Sequence, residues 1–219
     1  MLPSLPPAAG ISHTVYGVVL NHPGSLSAMG ASLNEAPYQA PPKAPVLYIK
    51  PCNTWAQSGA SVSLPTGAGS VEIGATLGLL IGSPASRLSE DKALQHVAAY
   101  QLVIDLSLPH SSYYRPAIRE KCFDGSCVLG PEQATKPALE TLGIQTLING
   151  QAVDTWAVSE LLRQPAQLLA QISAFMTLNP GDRLLVGVKW QAPQAKRGDV
   201  VVVQAQGLPT VQCTIGGQA

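Results

Sequence analysis

Charge is what this sequence has least of. Lys and Arg number 13 and Asp and Glu number 13 in 219 residues, so the formal net charge is +0 and charged side chains make up 12% of the chain. Globular proteins typically carry about a quarter. The balance excludes a basic field of the kind that holds nucleic acid, and no basic patch stands out for anionic lipid. A near-neutral, charge-poor surface instead favours self-association, so an oligomer or a partner subunit is expected. Long apolar runs are missing too. Stretches such as Leu77–Ile81 are strand-sized, far short of the ~18–20 residues that span a bilayer. The first residues, Met1–Gly10, lack a basic segment leading into a long apolar one. A secretory signal is therefore not expected, and the cytoplasm is the default address.

The four cysteines, Cys52, Cys122, Cys127 and Cys213, match no zinc spacing and read as reduced thiols. The four histidines, His13, His22, His96 and His110, lie far apart with no ligand spacing. No G-x-S-x-G, phosphate-binding loop or G-x-G-x-x-G is present, which argues against a serine hydrolase or a nucleotide enzyme.

What is there is β-rich. A Pro-rich stretch over residues 1–12 reads as a tail, and residues 13–219 as one domain. Strands are predicted over His13–Leu20, Val46–Lys50, Val62–Leu64, Val71–Gly82, Tyr100–Leu106, Arg183–Val188, Asp199–Ala205 and Thr210–Ile215. Asn149-Gly150 between Leu142–Ile148 and Gln151–Val153 supplies the two positive φ angles of a hairpin turn. Helices are expected from Ser89, over Thr155–Leu162 and over Pro165–Leu178, with a turn around Leu26–Leu33. Asn179-Pro180-Gly181-Asp182 reads as a turn. Pro109–Gly130 reads as irregular, and a long irregular segment inside a compact domain is often functional. The fold class is thus α+β with few helices.

Two features carry chemistry. Ser111–Gly125 gathers Tyr113, Tyr114, Arg115, Arg119 and Lys121, and such clustering in a charge-poor chain suits a carboxylate ligand. The alternative is a solvated loop whose cations pair with Glu120 and Asp124. Asp105 sits among Val103, Ile104 and Leu106, where a carboxylate must be paired, hydrogen-bonded or metal-bound. It serves either a site or the end of a strand.

The order of landmarks resembles the fumarylacetoacetate hydrolase family across residues 13–215. Those landmarks are Asn21 after the first strand, Lys50-Pro51 after the second, and Ile81-Gly82. They continue through Ile104-Asp105-Leu106-Ser107, Lys121 with Phe123-Asp124-Gly125, Leu129-Gly130-Pro131, Asn149-Gly150, and the run Phe175-Met176-Thr177-Leu178-Asn179-Pro180-Gly181-Asp182. The Tyr113–Gly125 stretch is most similar to the members that decarboxylate and isomerise a small unsaturated oxo-tricarboxylate in homoprotocatechuate breakdown. In those members two similar halves can be fused, and this chain looks like the N-terminal half standing alone. The resemblance implies a mixed β-sandwich roll and a divalent ion such as Mg²⁺, held by a Glu-x-Glu strand motif and one Asp. The ion would stabilise the enolate formed when a C–C bond breaks or a double bond moves.

Carried over residue by residue, the metal Asp falls on Asp105 and the two Glu on Gly74 and Thr76. Glu72 is a candidate substitute, about 6–7 Å along the strand from the expected place. Ser25 stands where many members have a catalytic His, and Val186–Lys189 replaces Thr-Gly-Thr-Pro. Asp105 and Lys121 are the expected catalytic pair, with Lys50, Tyr114, Arg115 and Arg119 holding substrate. A single carboxylate holds Mg²⁺ weakly. The resemblance therefore implies either a subunit that completes or stabilises a Glu-x-Glu-bearing paralogue, or a metal-independent site built on Lys121, Arg115 and Arg119.

Overall fold

The computed structural model describes residues 13–110 and 113–218. The tail expected over residues 1–12 and the pair Ser111-Ser112 lie outside them. Two sheets make the frame. The larger has eight strands in the order β2 (Val46–Lys50), β1 (Val15–Val19), β10 (Arg183–Leu185), β5 (Val71–Ile81), β6 (Val97–Ser107), β7 (Cys127–Leu129), β3 (Trp55–Gln57), with β11 (Gln194–Ala195) on the start of β5. The smaller has five, in the order β4 (Ser61–Leu64), β13 (Leu208–Gln218), β12 (Val200–Ala205), β8 (Gly143–Ile148), β9 (Gln151–Ala157). The strand-dominated class with few helices is the one expected.

Side chains alternate across a sheet, so each strand of the larger sheet serves two interiors. Ile73, Leu77, Leu79, Leu102, Ile104 and Leu106 point one way, into the main core with Ile144, Trp156, Val201, Val203 and Val211 of the smaller sheet. Their alternates point the other way. Val15, Val103, Cys127, Leu129 and Leu185, with Trp55 against them, form a second apolar cluster drawn from strands spread along the sheet order. Residues so far apart in that order can touch only because the sheet curls. The ends β2 and β3 are also consecutive in the chain, joined by the turn Cys52–Thr54, and Trp55 Nε1 donates to Lys50 O at 2.8 Å. Inside the curl space is short, and the inner face of β5 is accordingly small after Glu72: Gly74, Thr76, Gly78.

The sequence reading is corrected at four places. Thr155–Leu162 is not helical: β9 runs to Ala157, Ile144 faces Trp156 across the hairpin, and a single 3-10 turn follows at Val158–Glu160. The helix expected from Ser89 is the short α2 (Glu90–Ala93), and helix α4 (Pro165–Ser173) stops short of Leu178, which bridges to Ala85 instead. The expected strand Arg183–Val188 is regular only to Leu185. Pro109–Gly130 is not wholly irregular, since it contains α3 (Ile118–Lys121) and β7. A helix does form near Leu26–Leu33, but begins earlier, as α1 (Pro23–Met29), with His22 Nδ1 accepting from Gly24 N at 3.1 Å. Asn149 and Gly150 take the positive φ angles expected of the hairpin turn, 52° and 80°.

Candidate active site

Tyr48 and Lys50 are two residues apart on β2, so both point into the curl, and Asp105 points in from β6. Lys121 arrives from α3. Lys50 Nζ lies 2.7 Å from Asp105 Oδ1, and Lys121 Nζ lies 3.3 Å from Oδ2. The Tyr48 hydroxyl donates to the same Oδ2. Exposure is 0% for Lys50, 1% for Asp105 and 7% for Lys121. Buried charges are tolerated only when paired and hydrogen-bonded, and Lys50 shows how closely that is met. Its ammonium donates to Leu106 O at 2.9 Å, Lys121 O at 2.5 Å and Ser126 O at 3.0 Å. Those three carbonyls account for its three hydrogens. Its contact with Oδ1 is therefore an ion pair, and Oδ1 accepts no directed hydrogen bond.

The Lys121 ammonium also lies 4.5 Å from the centroid of the Tyr48 ring, a cation–π distance. Gly17, the cross-strand partner of Tyr48, is what lets that ring lie flat: a Cβ at 17 would fall within it. Burial pushes the Asp105 carboxyl up, but the charges of Lys121 and Lys50, the close approach of the Lys50 ammonium and the hydrogen bond from Tyr48 outweigh it and hold the carboxyl below its ordinary value. Burial first, then the Asp105 charge, pushes the Tyr48 phenol well above its ordinary value. Two lysines and one aspartate leave the cluster with a single net positive charge.

Two cavities of about 410 Å³ each meet this cluster and share Val19, His110, Tyr113 and Lys121 in their walls. The first is mostly apolar, with Tyr48, Ile49, Tyr114, Arg115 and Ile118 around it. The second is more polar, with Ser25, Glu72, Lys189 and Gln191. Burial pushes the Glu72 carboxyl up, while the charges of His110 and Lys121 pull it back and Asp105 adds to the rise.

The structure thus brings Asp105, Lys121 and Lys50 together and sets Tyr114, Arg115 and Glu72 around the cavities they border. Lys50 lines neither cavity, and its ammonium faces Asp105 and backbone carbonyls. Arg119 is turned away into a separate depression beside Pro65, Gly67 and Glu120. Its expected company with Lys121 fails because residues two apart on a helix point to different sides. Tyr48, His110 and Lys189 were missed. Tyr48 had a signal, since it lies two residues before Lys50 on one strand; the other two had none.

A family model described as fumarylacetoacetate (FAA) hydrolase C-terminal matches residues 14–216. The chain belongs to the fumarylacetoacetate hydrolase family. The 4-hydroxyphenylacetate degradation bifunctional isomerase/decarboxylase of Escherichia coli is 41% identical over 199 residues, which are 91% of this chain and 46% of that protein. The chain therefore spans about half the length of the curated relatives it matches, and either half of a fused chain would give that share. Among solved structures, the 5-carboxymethyl-2-hydroxymuconate delta-isomerase of Mycobacterium smegmatis superposes with a TM-score of 0.80 at 25% identity, covering 94% of this chain and 77% of that one. The fumarylpyruvate hydrolase of Pseudomonas aeruginosa, solved with Mn²⁺ and pyruvate, has a TM-score of 0.80 at 20% identity, covering 94% of this chain and 90% of that one, and at that identity it speaks for the fold alone.

A divalent ion is part of what this family implies, and the donors present do not suit one. Among the described residues no three His, Cys, Asp or Glu side chains converge. Gly74 pairs directly with Asp105 across the strands and has no carboxylate to offer. A Cβ there would lie 2.7 Å from Asp105 O and 2.9 Å from Val188 Cγ1. The Thr76 hydroxyl is committed to Gly187 O at 2.6 Å. Both Asp105 oxygens already face cations or the Tyr48 hydroxyl. In this fumarylacetoacetate hydrolase fold the Asp105 carboxylate is flanked by two ammonium groups and a phenol.

Proposed function

We propose that this chain, as one domain over residues 13–219, is a subunit of an enzyme that decarboxylates 5-oxopent-3-ene-1,2,5-tricarboxylate and isomerises 2-hydroxyhepta-2,4-diene-1,7-dioate in 4-hydroxyphenylacetate and homoprotocatechuate catabolism. It works in the cytoplasm, as a homo-oligomer or with a paralogue, and without a tightly held metal. The observation that carries the reading is the net positive charge of the Lys50–Asp105–Lys121 cluster, presented by Lys121 to the wall between two cavities. The similarity to the isomerase/decarboxylase of Escherichia coli supplies the substrate class.

Loss of carbon dioxide from an oxo-acid and migration of its double bond both place negative charge on the oxo oxygen. A fixed cation in a shielded cavity favours that state over the neutral ground state without having to reorganise. Lys121 supplies it. Asp105 and Tyr48 fix where it stands, and Lys50 keeps Asp105 ionised. Arg115 and Tyr114, on the first cavity, suit one of the substrate's carboxylates.

A second reading keeps the fold and removes the chemistry: a structural or regulatory partner of an active Glu-x-Glu-bearing paralogue, or a binder of small carboxylates. Gly74 and Thr76 favour it. Decarboxylase and isomerase turnover, measured for the chain alone with and without Mg²⁺ and again with the paralogue added, separates the two. Metal-independent turnover by the chain alone, lost in Lys121→Ala, supports the first. Activity only with the paralogue, indifferent to Lys121→Ala, overturns it in favour of the second.

A further inference from the structure

We infer that His110 is the proton-transfer residue of the two cavities, acting through Nε2. The inference rests on the enolate chemistry proposed above and assigns the step that Lys121 cannot perform. The double bond of such an acid moves only if a proton leaves the enol oxygen, or the carbon beside the oxo group, and another carbon receives one. A lysine ammonium stabilises the charge between those events but, already protonated and held against Asp105, cannot accept the proton.

The walls offer few groups for the task. Glu72, Lys121, Tyr113, Tyr48, Arg115, Cys122 and Lys189 are the other titratable residues around the two cavities. Arg115 and Lys121 are cations. Lys189 is tied to Asp154 Oδ1 at 2.5 Å. Tyr48 is committed to Asp105. The Cys122 thiol donates to Ile49 O at 3.5 Å. Glu72 borders only the second cavity, and burial pushes the Tyr113 phenol above its ordinary value. His110 borders both cavities and has one nitrogen engaged and one left over. Its Nδ1 lies 3.2 Å from Leu108 O, and a carbonyl oxygen only accepts, so Nδ1 carries the hydrogen. In the neutral ring that contact leaves Nε2 as the acceptor, and Nε2 is buried with no partner among the described residues. Buried polar atoms are nearly always paired, and an orphan in a cavity wall points to a missing ligand. The ring is also held: Tyr113 packs edge-on at 5.6 Å, and Tyr113 N donates to the Tyr38 hydroxyl at 2.9 Å.

The step balances within these groups. In the 2-hydroxy-diene the enol O–H bond breaks and its proton goes to Nε2; with an oxo-acid the C–H bond beside the oxo group breaks and its proton goes to the same atom. Either loss leaves the enolate, whose oxygen carries the negative charge opposite Lys121. The resulting imidazolium strengthens its Nδ1–H bond to Leu108 O. Nε2 then returns the proton at the far end of the conjugated system, so nothing is oxidised or reduced. Histidine is the side chain best suited to both halves of such a transfer near neutral pH.

The test is hydrogen–deuterium exchange at C3 of 2-oxoadipate, a small oxo-dicarboxylate, followed by proton NMR in D₂O with the full chain. His110→Asn keeps a donor for Leu108 O and removes the base. Exchange is expected to fall by about 10²–10⁴-fold with the melting temperature unmoved, and free imidazole is expected to restore part of it in His110→Ala. Exchange by His110→Asn at the wild-type rate, or no exchange by the wild type, overturns the inference. If exchange depends on His110 but neither substrate named above turns over, the proposed function falls and the role of His110 stands. Turnover of those substrates with exchange indifferent to His110 gives the reverse.

Discussion

The Lys50 ammonium lies 2.7 Å from Asp105 Oδ1, and neither group reaches solvent. Its partners are unevenly placed. Lys50 is saturated by backbone carbonyls, whereas Lys121 keeps a small share of surface on the cavity wall. One lysine is enclosed with the aspartate, and the other, held by the same aspartate, borders the cavities.

That asymmetry predicts different costs. Lys50→Met removes the charge that offsets Asp105 and takes one donor from each of Leu106 O, Lys121 O and Ser126 O, of which the last two keep Ser126 Oγ and Leu106 N. Breaking a buried pair by removing one partner costs about 3–5 kcal/mol. Lys121→Met leaves Asp105 with Lys50 and Tyr48, so its cost in stability should be well below that of Lys50→Met, while turnover is lost. Urea unfolding of both variants checks this. Equal destabilisation would sink the division of labour.

The two perturbed carboxyls give opposite pH trends. Asp105 is held below its ordinary value, so its contribution is present above the unfolded-state value and is lost as pH falls through the lower folded one. Wild-type stability should therefore decline below about pH 4, and Asp105→Asn should flatten that decline while lowering stability at neutral pH. Glu72 is pushed up, so the folded state binds its proton more readily than the unfolded one, and stability falls as pH rises through the interval between the two values. Glu72→Gln should raise stability at pH 7 and leave it unchanged at low pH. Melting curves taken from pH 3 to pH 8 test both signs, and a Glu72→Gln variant less stable than wild type at pH 7 contradicts the second.

Much of this frame was legible in sequence. The middle strands β5 and β6 were found because both their faces are buried, which leaves long apolar runs. Asp105 stood out as a carboxylate inside one of them. Thr155–Leu162 misled because its apolar spacing suits a helix, while the register set by the Asn149-Gly150 turn carries Trp156 across to Ile144 and into the core. Local propensity lost there to pairing that only the hairpin reveals. The curl of the larger sheet was not legible at all, since it depends on which strands become neighbours. With it went the meeting of Tyr48 and Lys50 with Asp105, four places away in the sheet order. His110 was invisible for a simpler reason: a lone histidine has no pattern, and only its unpaired nitrogen marks it.

If the missing carboxylates were the only obstacle, restoring them by Gly74→Glu and Thr76→Glu would rebuild the ion site. The geometry argues otherwise. Any side chain at 74 meets Asp105 O at 2.7 Å and Val188 Cγ1 at 2.9 Å, and the first of these is backbone in the next strand, which cannot move aside. Replacing Thr76 also gives up its hydrogen bond to Gly187 O. An ion placed among the new carboxylates would face the Lys121 ammonium across Asp105 Oδ2. The double variant should thus be destabilised, by about 1–3 kcal/mol for overpacking at position 74 alone, and millimolar Mg²⁺ or Mn²⁺ should not raise its melting temperature. Adding Lys121→Met removes the competing cation, and a metal-dependent rise in the triple variant but not in the double would show that the ammonium, rather than the crowding, keeps an ion out. A rise in the double variant itself would mean that Asp105 remains open to metal despite its lysines, and the metal-independent reading of the site would have to be given up.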